Sequence, residues 1–237
     1  MLTDAIKKLH VNKADKPAEL GKDFEEVAAM AMLLFARSNE RFTLQQLCDP
    51  KHCGSDLGKM EYELKGGRVQ LVKVKKFPAN KLTITADDLQ PHVDALEKDG
   101  ASGQIIMMND PYNAADIFAL FRTTSLVFGF VCIRIQVKDW FLDNSKGNNI
   151  VVECRKYDKS CPSEVTLSNG VKIPVFSLFY MANPLEQDLA CQPREGIVTI
   201  RSMRSWLPTA AHAIQSFSHL REVFSWDPED RASRPID

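Results

Sequence analysis

Two periods of apolar and polar residues run through this chain. From Glu19 to Arg37, ELGKDFEEVAAMAMLLFAR places Phe24, Val27, Ala28, Ala31, Leu34 and Phe35 on one face at helical spacing. Its alanines, leucines and methionines are good helix formers, so the pattern predicts a first core helix. The next segment, MEYELKGGRVQLVKVKKFP, has extended-type residues on both sides of Gly66-Gly67 and predicts a hairpin. ADDLQPHVDALEK, residues 86–98, returns to helical spacing, with Pro91 read as marking a helix start rather than a kink and Gly100 to Gly103 as its stop.

Three apolar runs follow closely: GQIIMMND (103–110), AADIFALF (114–121) and SLVFGFVCIRIQVKDW (125–140). Each is short enough for a buried strand and is bounded by turn residues, which predicts the middle of a sheet. FLDNSKGNN and RKYDKSCPSE read as loops, with IVVEC between them open to either reading. VKIPVFSLFYM (171–181) and GIVTI (196–200) predict later strands, and TAAHAIQSF (209–217) predicts a last helix. The fold class is therefore α+β with a mixed sheet. We divide the chain into an N-terminal extension (1–18), one domain (19–225) and a polar tail (226–237), since no repeat or biased linker splits the middle.

Composition changes this picture little. At 237 residues the chain can build a core without disulfide or metal staples. Thirty basic residues against thirty-one acidic leave a net charge of −1, so phosphate binding would have to come from a local patch. The N-terminus has lysines and acids where a secretory signal needs an apolar run, and Leu126 to Ile133 is too short to span a bilayer; both predict a soluble protein with no membrane partner. Six cysteines form no CxxC pair. Cys48, His52 and Cys53 resemble half of a metal site, but no second pair at ligand spacing follows, and they read as loop residues.

The chemistry turns on polar residues set among apolar ones. Asp116 sits inside AADIFALF, where an ionised carboxylate is costly unless a cation or hydrogen-bond donors meet it. In IRIQVKDW, alternation puts Ile133, Ile135 and Val137 on one face and Arg134, Gln136 and Lys138 on the other. A carboxylate and an amide oxygen brought together suit a hard cation such as Mg2+ or Mn2+, with Asp116 and Gln136 as ligands. Lys138 would orient the attacking water or neutralise charge developing on a phosphorane. Glu25, beside Phe24 on the first helix, is the candidate for a further carboxylate and third metal ligand. Equally, the Arg134 face can point to solvent, and Asp116 can cap a turn or pair with Arg122 or Arg134. Lys65, Arg68, Lys73, Lys75 and Lys76 make an acid-free stretch that reads either as a ribbon along a phosphate backbone or as a solvated face.

Asp116, the pair Gln136 and Lys138, and a helix carrying Gly21-Lys22-Asp23-Phe24-Glu25 resemble the PD-(D/E)xK restriction-endonuclease-like superfamily in its QxK form. More narrowly, the order of these motifs, with the turn Asn109-Asp110-Pro111-Tyr112-Asn113-Ala114-Ala115 before the acid, is similar to the nuclease-like C-terminal domains of Crinkler effectors and retrotransposon hot spot proteins. The resemblance covers roughly residues 19–140 and implies a restriction-endonuclease-like core with flanking helices: helix, three-stranded mixed sheet, helix and final strand. It implies Glu25, Asp116, Gln136 and Lys138 as active-site positions of a Mg-dependent DNA endonuclease; Arg68, Lys73, Lys75, Lys76 and Arg134 are the candidate DNA contacts read from the basic residues themselves. It also implies a secreted effector acting in a host nucleus, a host nuclear protein as a further partner, and an upstream ATPase-like domain; no GxxxxGK[ST] occurs in this sequence. Gln136 in place of an acid removes a negative charge from the site. The other expectation is therefore a catalytically inactive nuclease-like fold that binds DNA or a host protein.

Overall fold

The computed structural model describes residues 17–74, 84–108, 115–138, 162–181 and 190–206. Helix α1 (Pro17–Ser38) leads into a short strand β1 (Arg41–Phe42), a 3-10 turn at Leu44–Gln46 and a loop to a second 3-10 turn at Met60–Tyr62. Strands β2 (Leu64–Lys65) and β3 (Val69–Val74), helix α2 (Ala86–Asp99) and strands β4 (Gly103–Met108), β5 (Ile117–Arg122) and β6 (Phe130–Lys138) follow. The described part closes with β7 (Glu164–Thr166), β8 (Lys172–Met181), β9 (Glu195–Thr199) and helix α3 (Ile200–Trp206). A mixed sheet flanked by helices gives the α+β class that the two periods predict.

The main sheet has the order β3-β4-β5-β6-β8-β7, with β9 also paired to β8. Strands β4, β5 and β6 form an antiparallel meander, whereas β3 lies parallel to β4, β8 parallel to β6 and β9 parallel to β8. Five strands thus point one way, with β5 reversed among them and β7 reversed beside β8. Their carboxyl ends gather on the side where residue 116 opens β5, the usual place for a ligand in an open sheet.

Each face of the sheet has its own apolar cluster. On one, Val27, Ala28, Ala31 and Phe35 of α1 pack on Ile117, Ile133, Ile135, Leu178 and Tyr180. On the other, Leu89, Val93 and Leu96 of α2 pack on Ile106, Phe118, Leu120 and Cys132. The strands alternate cleanly between the clusters because successive side chains leave opposite faces of a pleated strand. Both faces being covered, the strands read as near-continuous apolar runs.

Three expectations need correction. Leu34, placed on the core face of α1 by its spacing, is 38% exposed. The segment around Gly66-Gly67 is no hairpin: β2 pairs antiparallel with β1, and β3 pairs parallel with β4. The glycines serve the end of α1 instead. Gly67, at φ 80°, donates its N–H to Ala36 O, and a Cβ on Gly66 would stand 1.9 Å from Asn39 O. Pro91 lies within α2 and does not start it; Thr85 precedes the helix, its N–H bonded to Asp88 Oδ2 at 2.8 Å. At the other end Arg122 donates to Leu96 O and Ala101 O, each at 3.0 Å, so its guanidinium covers helix-end carbonyls. The structure has a helix at 200–206, and the one expected over 209–217 lies outside the described residues, as do the 1–16 part of the extension, the turn at 109–114 and the 226–237 tail.

Candidate functional site

Asp116 stands immediately before β5 and beside the end of β6, where its N–H donates to Ile135 O at 3.0 Å. Its carboxylate turns onto the same strand: Oδ2 accepts the Val137 N–H at 2.7 Å and a second hydrogen bond from Gln136 Nε2. The acid and the amide expected to meet therefore do meet. Gln136 is only 7% exposed, and its Oε1 has no hydrogen-bond partner among the described residues. An amide oxygen buried without a donor costs about 1 to 3 kcal/mol. Such an atom beside a carboxylate is a place where a cation or a donor on a ligand would be accepted.

Gln136 leaves the face of the sheet that carries Cys132 and Phe118. Glu25 rises from α1, which packs on the opposite face against Ile135. On α1 it precedes the buried Ala28 and Ala29 by one turn, on a stripe pressed toward the sheet. Its neighbour Glu26 forms an ion pair with Lys73 at 3.0 Å near the carboxyl end of β3. Glu25 thus lies on the layer opposite Gln136, one residue from the Glu26 that pairs with Lys73 of β3. Lys138 is opposite Met181 in the β6–β8 register, two residues beyond Gln136; its side chain lies outside the description.

The expected nucleic-acid residues are scattered. Arg68 is exposed and donates Nη2 to Asp99 O at 3.2 Å, at the end of α2. Lys73 is exposed on β3 and held by Glu26. Lys75 and Lys76 lie outside the described residues. Arg134 is 3% exposed, so it is neither solvent-facing nor on a ribbon; it donates Nη2 to Ser177 Oγ at 2.8 Å.

Arg134 lines a cavity of about 480 Å³ on the same face as Gln136, together with Ser177, Glu195, Arg194 and Asp56. Arg194 is its hub: it donates to Ser163 O at 2.6 Å and to Tyr62 Oη at 3.1 Å, lies 3.5 Å from Asp56 Oδ2, and its guanidinium sits 5.4 Å from the Tyr62 ring centroid and 5.5 Å from that of Phe176. A hydrogen bond from Lys59 holds the Asp56 carboxyl below its ordinary range, with Arg194 adding to the effect. The sequence analysis missed this cavity. Arg134 carried a signal, being a charge inside an apolar strand, but Arg194 and Glu195 looked like any polar turn before a strand.

Among the described residues, no group of three His, Cys, Asp or Glu side chains is placed to hold a metal ion. No helix among them is long and apolar enough to cross a membrane. No protein-family model, curated protein or solved structure matches the chain.

Proposed function

We propose that this chain is a metal-dependent phosphodiesterase of the restriction-endonuclease-like kind, acting on DNA. The observation that supports it is half-buried Asp116 paired with buried Gln136 at the carboxyl ends of the sheet, with the Gln136 Oε1 left without a donor among the described residues. At the coarser level, a mixed sheet with helix α1 packed on one face is the setting that this reading needs. Mg2+ or Mn2+ would be held by the Asp116 carboxylate and Gln136 Oε1, with Glu25 reaching around the strand ends as third ligand. An ion bound there polarises the scissile phosphate and makes water a stronger acid. Lys138 stands two residues beyond Gln136 on the same strand and supplies a cation for the charge that develops on the phosphorane. If the likeness to Crinkler effectors holds, the setting is a host nucleus, with a host nuclear protein and an upstream ATPase-like domain as partners.

One observation favours the second reading, a nuclease-like fold that only binds DNA or a host protein. Asp116 Oδ2 already accepts two hydrogen bonds from β6, a role that is complete without a metal. The two readings part on plasmid cleavage in magnesium or manganese. The enzyme reading expects nicking that Asp116→Ala or Lys138→Ala reduces by about 10²-fold or more while the variants still melt cooperatively. Unchanged cleavage in both variants overturns it, and no cleavage by the parent chain, with DNA still retained, selects the binding module.

A further inference from the structure

The loop between β1 and β2 brings two sulfurs to one point on the far edge of the sheet. It runs beside β9 as an added ladder: Asp49 N–H donates to Ile197 O, Ile197 N–H to His52 O and Gly54 N–H to Glu195 O. Cys53 forms a backbone bridge with Gly196, and Cys48 Sγ lies against the same glycine, where a Cβ would be only 2.4 Å away. The two cysteines thus meet over Gly196. They are five residues apart yet differ in access, Cys48 being buried and Cys53 half-buried.

We propose that Cys48 and Cys53 are an oxidisable dithiol, with Cys53 the sulfur that reacts with a hydroperoxide and Cys48 the one that closes a disulfide onto it. Reactivity follows the thiolate and its exposure. Cys53 has more of both than Cys48: it is half-buried where Cys48 is buried, and the Cys48 thiol beside it lowers its pKa against the opposing effect of burial. Cys48 is driven the other way, first by the Cys53 sulfur beside it and then by burial, and its S–H donates to Leu44 O at 3.3 Å. Cys191 is the third sulfur of the neighbourhood. Burial, with the charge of Glu195 adding to it, pushes its thiol up to about 12, which keeps it protonated.

The Cys53 thiolate attacks one peroxide oxygen. An S–O bond forms, the O–O bond breaks, and the leaving oxygen takes up a proton, giving water and a sulfenic acid on Cys53. Cys48 sulfur then attacks the Cys53 sulfur. The S–S bond forms as S–O breaks, and hydroxide leaves as water with the Cys48 proton. The two thiols lose two electrons and the peroxide gains them. A dithiol reductant reverses the change through a mixed disulfide.

Trypsin separates the two sulfurs, because Lys51 lies between them: Cys48 falls in the peptide 42–51 and Cys53 in 52–59. The reduced full chain is treated with about one equivalent of hydrogen peroxide, the thiol–disulfide stoichiometry of two electrons, and digested without reductant. The expected result is a linked pair of these peptides that dithiothreitol separates, with Cys191 unmodified. Cys48→Ala, which keeps a small apolar side chain in the buried position, should instead leave a sulfenic acid on Cys53 that a cyclic dione traps; Cys53→Ser should abolish both products. The proposal fails if 42–51 and 52–59 stay unlinked while other cysteines oxidise, if Cys53 is joined to Cys191, or if folded Cys48→Ala yields no dione adduct at Cys53.

Discussion

Replacing Gln136 with glutamate puts a second carboxylate where an amide now donates to Asp116, in a position only 7% exposed. Two unit charges about 4 Å apart repel by about 4 kcal/mol at an effective dielectric constant of about 20. The pair can escape by sharing a proton. At pH 7, protonating an ordinary glutamate with a pKa of about 4.3 costs about 4 kcal/mol, so the penalty saturates near that value. For a domain of this size each kcal/mol moves Tm by about 2–4 °C, giving a loss of about 8–16 °C for Gln136→Glu in EDTA. A divalent ion removes the cause of the loss. At about a hundred times its Kd, manganese returns about 2.7 kcal/mol, or about 5–11 °C. Thermal melts of both proteins, with EDTA and with manganese, are the assay. Lowering the pH toward the ordinary carboxylate range should also narrow the gap, since the shared proton then costs less. A variant that melts with the parent in EDTA would show that residue 136 does not face Asp116 across a dry site. A destabilised variant that manganese leaves unchanged would show that the pair is a structural clamp with no affinity for metal.

Two further outcomes follow from groups placed elsewhere. Tyr180 is fully buried and its hydroxyl has no partner among the described residues, so Tyr180→Phe should stabilise the chain by about 1 kcal/mol in urea unfolding; a comparable loss would mean the hydroxyl is satisfied. Asp56 has its folded pKa lowered, chiefly by Lys59, so the stability it adds is present above an ordinary aspartate pKa of about 3.9 and is lost as pH falls through the folded value. Urea midpoints followed into acid should therefore drop less steeply for Asp56→Asn than for the parent, and parallel curves would refute the linkage.

Much of the scaffold was legible because periodicity reports burial. The runs at 103–110, 114–121, 125–140 and 171–181 became β4, β5, β6 and β8, and alternation along β6 correctly grouped Arg134 with Gln136. What alternation cannot report is whether the polar face is wet. Arg134 and Gln136 read as solvent-facing or as a site, and both are buried, Arg134 against Ser177 of the neighbouring strand and Gln136 against Asp116. The two glycines at 66 and 67 misled for a different reason. Glycine between two extended runs signals a turn, but the same freedom let the chain press against the end of α1, and the flanking strands took other partners. Convergence across distant segments left no local trace at all: nothing near Cys48 and Cys53 announces Cys191 or Glu195, and nothing near Arg194 announces Tyr62.

The strand order also sets a schedule for assembly. The meander from β4 to β6 joins neighbours in sequence and loses little chain entropy in forming, whereas the ladder between residues 49–54 and β9 closes over most of the polypeptide. During synthesis residues 49–54 must wait for β9, the last of the described strands, before this ladder can form. The sheet edge that carries the two adjacent sulfurs is therefore sealed late, and a newborn chain offers them to solvent more freely than the finished molecule does.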